Sequence, residues 1–257
     1  MQIMTGKDTA VHFFPGNWEI FSRFRAAHPC GPFFCAIPKA GIIWHDCPED
    51  NSMDRKLFVF DVGGVVVFHP SFLAGFSERY NLDLRKVHAD WEAYSKPIMD
   101  GFCGPELMYS MFEHKYGLDL SDDDVMMTYY YPTANKPMMD LINALRASGH
   151  RVVSGSNTYA GHWDFCKAMP EKPLACFDKL YASHEIHYTK PDEEFYTYIL
   201  KSEGFKASDS FFTDDSLVNL ESAARVGMTT FHYTGDNKAL EEFFRPYITT
   251  GGDHGRD

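Results

Sequence analysis

Beyond its first fifty or so residues the chain alternates short apolar runs with segments of helical period. Leu57-Phe58-Val59-Phe60 is continuously apolar and ends in Asp61, followed by Gly63-Gly64 and Val65-Val66-Val67. An unbroken run of this length reads as a strand buried on both faces, and its carboxyl end delivers an aspartate into a glycine turn. Four helical segments are predicted next, around 71–80, 84–95, 104–116 with its Gly104-Pro105 start, and 121–130. The last opens with Ser121-Asp122-Asp123-Asp124, and serine followed by acids marks a helix N-terminus. No strand pattern interrupts this block, which reads as a small helical insertion.

After the block, strands and helices alternate. A helix at about 135–147 places Met138, Leu141, Ile142 and Leu145 on one face and stops at Gly149. His150-Arg151-Val152-Val153 forms the next strand and runs into Gly155-Ser156-Asn157-Thr158 and another helix. Further strands are expected near 179–183, 209–213 and 228–233, with helices near 191–203, 216–227 and 237–246. Such alternation specifies an α/β fold with a parallel, doubly wound sheet.

Residues 1–52 do not fit this scheme. Five of the fourteen prolines fall there among scattered aromatics, and no periodic segment survives between them. The segment is an N-terminal extension of unknown role: an added lobe packed by its aromatics, a poorly ordered leader, or residues ahead of a start at Met53. Cys30, Cys35, His45 and Cys47 lie at intervals that match no common zinc finger or ribbon. The stretch also lacks the basic and apolar regions of a signal peptide, no run approaches the length of a membrane span, and six dispersed cysteines form no CxxC pair. These features predict a cytoplasmic protein with reduced thiols and no membrane partner.

Composition narrows the partners. With 36 acidic against 24 basic side chains the formal charge is −12, which repels nucleic-acid backbones and anionic lipid. Local anion binding remains open, because a lysine, a helix N-terminus or a bound cation can reverse the potential in one pocket.

In a doubly wound sheet, ligands bind beyond the carboxyl ends of the strands. Polar residues stand at such places as Asp61, Ser156-Asn157, Lys190-Pro191 and Asp214-Asp215. Each has an ordinary alternative as a turn former, helix cap or surface charge. Together they suit the transfer of a phosphoryl group to an aspartate. Asp61 would be the nucleophile. A carboxylate attacking a phosphate dianion needs a cation and a cationic side chain to offset repulsion. Asp214, supported by Asp215, would supply oxygen to Mg²⁺, Lys190 would balance charge, and Ser156 with the backbone N–H groups after it would hold phosphate oxygens.

Over residues 57–233 the chain resembles the haloacid dehalogenase-like hydrolase superfamily. The resemblance rests on Phe-Asp-Val-Gly-Gly-Val-Val at 60–66, Gly-His-Arg-Val-Val-Ser-Gly-Ser-Asn-Thr at 149–158, Thr-Lys-Pro-Asp at 189–192 and Phe-Phe-Thr-Asp-Asp-Ser at 211–216. Within the superfamily it is most similar to the glucose-1-phosphate phosphatase-like and soluble epoxide hydrolase phosphatase-domain-like members. The resemblance implies a Rossmann-like core at 53–69 and 134–257 with a helical cap at 70–133 inserted after the first strand. It implies Asp61 as the aspartyl nucleophile, Lys190 as the motif lysine, Ser156 and Asn157 with Lys190 as phosphate contacts, and Mg²⁺ held by Asp61, the Gly63 carbonyl and Asp214, with Asp215 in support. The implied activity is Mg²⁺-dependent hydrolysis of a small phosphorylated metabolite of the sugar phosphate class, including sugar 1-phosphates.

Two departures stand out. Most phosphatases of the superfamily carry a second aspartate where this chain has Gly63, as acid and then base; losing such a group costs about 10²–10⁴-fold. His69 is the nearest downstream imidazole that could stand in for it. His187 occupies a position where many relatives have glycine, three residues before the lysine. Two other functions stay open: a metal-independent 2-haloacid dehalogenase using the same aspartate, and a catalytically silent scaffold that binds a phosphometabolite or a protein. Trp91, Tyr94, Phe102, Met108 and Phe112 either line the substrate cleft or form the helical block's own core.

Overall fold

The computed structural model describes residues 55–69 and 71–249; the N-terminal extension and its cysteines lie outside them. The described residues form six strands: β1 (Leu57–Phe60), β2 (Val67–Phe68), β3 (Thr133–Ala134), β4 (Arg151–Ser154), β5 (Ser210–Asp214) and β6 (Thr229–His232). β1, β4, β5 and β6 form a parallel sheet in the order β4-β1-β5-β6. Phe58 is in register with Val152 on one side and Phe211 on the other.

The unbroken apolar run of β1 has a simple cause, since both faces of the sheet are covered. Phe58 and Phe60 point into a cluster with Val152, Phe211, Met138, Ile142, Leu145 and Phe244. Leu57 and Val59 point the other way, toward Val153, Phe212, Phe195, Ile199 and Leu220. The first cluster is closed by α5 (Lys136–Ala147) and α10 (Asn237–Phe244), the second by α8 (Glu193–Glu203) and α9 (Leu217–Val226).

Between β2 and β3, which pair antiparallel, lies the helical block: α1 (Phe72–Arg79), α2 (Leu84–Met99), α3 (Glu106–Tyr116) and α4 (Val125–Thr128). It buries a third cluster that includes Phe72, Phe76, Val87, Ile98, Met108 and Phe112. Met108 and Phe112 are therefore core residues of the block, Trp91 packs against that core, and Phe102 is 71% exposed.

Three elements differ from the sequence expectation. α4 is a single turn capped by Asp124, whose side chain accepts from the Met127 N–H, while Ser121 hydrogen-bonds Asp119 instead of capping a helix. α2 continues to Met99 with Pro97 in its last turn. The expected strand at 179–183 is only a pair of isolated bridges to Val153 and Ser156, because the Ser154 hydroxyl accepts the Tyr181 N–H that a continuous ladder would use. No helix among the described residues is long and apolar enough to cross a membrane, and Cys103, Cys166 and Cys176 are free thiols.

Candidate active site

Asp61 is the first residue beyond β1, tied to the neighbouring strand by its N–H to the Thr213 carbonyl at 2.8 Å. Its side chain is nearly buried, at 8% residue exposure, and one oxygen accepts the Val62 N–H at 2.6 Å. Asp214 ends β5, one strand away. Its carboxylate accepts the Ser216 N–H at 2.8 Å and both oxygens lie within 3.2 Å of the Asn219 amide nitrogen. Asn219 was invisible as a site residue in the sequence, because only the first turn of α9 folding back over the strand end brings it there.

Lys190, at 3% exposure, enters from the loop between α7 (Ser183–Ile186) and α8. Its ammonium lies 3.0 Å from Asp61 Oδ1 and 2.7 Å from Asp214 Oδ2, so one buried cation bridges the two strand ends. The rings of Phe212 and Phe195 add faces at 5.4 and 5.8 Å, a further attraction for a desolvated cation. Burial works against the charge on Lys190, but Asp214 and Asp61 overcome it and hold the pKa above the ordinary lysine value. Burial pushes Asp61 up to about 7, with Asp214 and Asp215 pushing the same way and Lys190 pulling back. Asp215 is likewise raised, first by burial and then by Asp214.

Oxygens of Asp61, Asp214 and Asp215 all lie within 4.8 Å of one another. Three converging carboxylates are a donor set for a hard divalent cation such as Mg²⁺. The turn after Asp61 is shaped around this group: Gly64 has φ +75°, and a Cβ there would fall 2.3 Å from Asp215 Oδ2. A side chain at 64 would displace Asp215. Gly63 has more room, since its hypothetical Cβ would meet only His69 Nε2, at 3.5 Å. The imidazole therefore stands beside the place that the absent aspartate would occupy.

The phosphate side differs in part from expectation. Gly155 donates to the Phe60 carbonyl at 2.8 Å, which sets Ser156 at the strand end beside Asp61. Asn157, expected to contact phosphate, engages both ends of its carboxamide with the Lys190 backbone: Nδ2 donates to the Lys190 carbonyl and Oδ1 accepts its N–H, each at 2.9 Å. The next helix, α6 (Ala160–Ala168), follows this segment, and the Thr158 N–H is already bound to Ser183 Oγ at 3.0 Å. The backbone N–H groups expected after Ser156 thus do not all remain for an anion.

Comparison with known proteins places these features. Residues 126–233 match the haloacid dehalogenase-like hydrolase family, a range that holds Ser156, Lys190, Asp214 and Asp215 while Asp61 precedes it. The chain is 27% identical over 183 residues to a sesquiterpene phosphatase of Aspergillus oryzae, covering 70% of this chain and 90% of that protein. It is 32% identical over 100 residues to a D-ribitol-5-phosphate phosphatase of Bacteroides thetaiotaomicron, covering 36% of this chain and 47% of that one. Among solved structures, a haloacid dehalogenase family enzyme of Bacteroides thetaiotaomicron, in complex with magnesium and inorganic phosphate, shares the fold. It superposes with a TM-score of 0.57 at 22% identity, covering 69% of this chain and 93% of that one.

Proposed function

We propose that this chain, whose residues 126–233 match the haloacid dehalogenase-like hydrolase family, is a Mg²⁺-dependent phosphatase that cleaves a small phosphorylated metabolite through an aspartyl phosphate on Asp61. The observation that carries this reading is the convergence of Asp61, Asp214 and Asp215 within 4.8 Å around one buried lysine. A dehalogenase working by carboxylate attack on carbon needs no cation, so it gives no reason for three acids to meet there. A phosphatase does, because both its nucleophile and its substrate are anionic.

Asp61 Oδ would attack phosphorus, forming the O–P bond of an acyl phosphate as the bond from phosphorus to the substrate oxygen breaks. The leaving oxygen takes a proton, and His69, with Nε2 3.5 Å from where a Gly63 side chain would begin, is the donor placed for it. Water then attacks phosphorus, passing a proton back to His69, releases inorganic phosphate and regenerates the Asp61 carboxylate. Lys190 holds Asp61 by its 3.0 Å contact and offsets the charge that collects on the transferring oxygens. Ser156, at the end of the adjacent strand, would hold one of those oxygens. Asp61, Asp214 and the Gly63 carbonyl, with Asp215 in support, would hold Mg²⁺, which supplies the positive charge that lets an anion approach a phosphate dianion.

Of the two phosphatases named above, one is named for a sesquiterpene and one for D-ribitol 5-phosphate. A sugar or polyol phosphate, including a sugar 1-phosphate whose leaving group demands less of the acid, is the class we assign here. The net charge of −12 fits a small-molecule substrate, not a nucleic acid. The test is turnover of para-nitrophenyl phosphate and a sugar-phosphate panel with Mg²⁺ and with EDTA, alongside halide release from a 2-haloacid. Turnover that needs Mg²⁺ and vanishes in Asp61→Asn is expected. Metal-independent halide release would establish the dehalogenase instead.

A further inference from the structure

We propose that Asp100, at the end of α2 in the helical block, is a positioning residue for Lys190. The inference rests on the reading of Lys190 as part of the phosphatase site. Asp100 is 5% exposed and far from Lys190 in sequence. One of its carboxylate oxygens accepts from the hydroxyl of Thr189, the residue immediately before Lys190. The other accepts from Lys96 at 2.8 Å, and the same ammonium reaches Asp192, two residues beyond Lys190, at 2.8 Å. The Asp100 carbonyl accepts from His187 Nδ1 at 2.8 Å. A single turn of the helical block thus grips the Lys190 loop on both sides of the lysine.

The grip also accounts for His187. It adopts φ +64°, a left-handed conformation that costs an L-residue with a Cβ about 1–2 kcal/mol. Here it is held by the hydrogen bond to Asp100 and by the ring of Phe102, stacked on its imidazole with centroids 5.4 Å apart and planes 11° apart. Close approach is built in at Gly101, where φ is +74° and a Cβ would fall 2.2 Å from the His184 carbonyl oxygen. From the core side the Lys190 backbone is held by Asn157. The backbone around Lys190 is therefore held from both sides of the boundary between core and helical block, by Asn157 at the lysine and by Asp100 at Thr189. A catalytic group misplaced by about 1 Å can cost about 10²-fold in rate, so the second partner matters to the chemistry.

The experiment compares Asp100→Ala, Thr189→Val, their double variant and Thr189→Ser in the full chain. Turnover of para-nitrophenyl phosphate with Mg²⁺ is read beside amide hydrogen exchange over residues 184–192. If Asp100 acts through Thr189, each single variant lowers kcat/KM by roughly 10- to 100-fold. The double variant is then no worse than the singles, Thr189→Ser recovers most of the loss, and exchange in the loop rises. Losses that multiply in the double variant, or kcat/KM within about twofold of wild type in Asp100→Ala, overturn the proposal. Should the wild type hydrolyse no phosphate ester, the phosphatase reading fails by itself. Exchange over 184–192 then still decides the grip, which falls if Asp100→Ala leaves it unchanged.

Discussion

Replacing Lys190 by methionine keeps much of the side-chain volume and removes the charge that bridges Asp61 at 3.0 Å and Asp214 at 2.7 Å. Neither Lys190 nor Asp214 has side-chain exposure to water, so solvent cannot take the place of the lost partner. Removing one member of a buried ion pair typically costs about 3–5 kcal/mol, because the other charge is left uncompensated. Asp214 loses its buried cation and Asp61 its 3.0 Å contact, which places Lys190→Met within that range in EDTA. Mg²⁺ answers the same deficit: a cation at one hundred times its Kd stabilises by about 2.7 kcal/mol, and the variant, with more uncompensated negative charge, should bind it more tightly than wild type. Urea denaturation in EDTA and across a Mg²⁺ series measures both effects, and turnover should fall although metal binding improves. A cost below about 1 kcal/mol in EDTA, the value of an exposed pair, or Mg²⁺ stabilising the variant no more than wild type, would refute this account of the site.

Two further outcomes follow from neighbouring groups. In the metal-free protein Asp61 is raised by burial from 3.8 to about 7, so the folded state keeps a proton that the unfolded chain releases. Stability from this group is full below about pH 4 and is lost as pH rises toward 7; the gap between Asp61→Asn and wild type in EDTA should widen by about 1.4 kcal/mol per pH unit between those limits, and a gap constant with pH would contradict it. Gly64→Ala must bear a left-handed φ of +75° and a Cβ 2.3 Å from Asp215. It should weaken Mg²⁺ binding by calorimetry about tenfold or more, and unchanged affinity would remove Asp215 from the site.

The parts of the site that were legible in the sequence share one physical origin. Asp61 and Asp214 each end a run of apolar residues buried on both faces of a parallel sheet, and the topology brings such ends together. Lys190 could be named only through its motif, since nothing local fixes where a loop lysine points. The Asn157 carboxamide has partners that its position does not suggest. A carboxamide after a strand reads as an anion contact or cap, yet its partners are Lys190 backbone atoms 33 positions away. Asp100 and Asn219 carried no signal, because an acid at a helix end and an asparagine in a first turn are ordinary surface choices. The helical block was legible as helices, but its grip on the Lys190 loop depends on tertiary pairing that no period encodes. The short α4 shows the limit of cap reading, where one of four consecutive candidates, Asp124, provides the cap.

Whether Asp61 carries the phosphoryl group is read by a single turnover in heavy-oxygen water. With a phosphate ester and Mg²⁺, acid quenching should trap the phosphoryl group on the peptide containing Asp61. The heavy oxygen should appear in inorganic phosphate and not in the Asp61 carboxylate, because water attacks phosphorus. Label in the Asp61 carboxylate would mean attack on an ester carbon, as in a dehalogenase, and phosphate release by Asp61→Asn would mean a different nucleophile; either result contradicts the account.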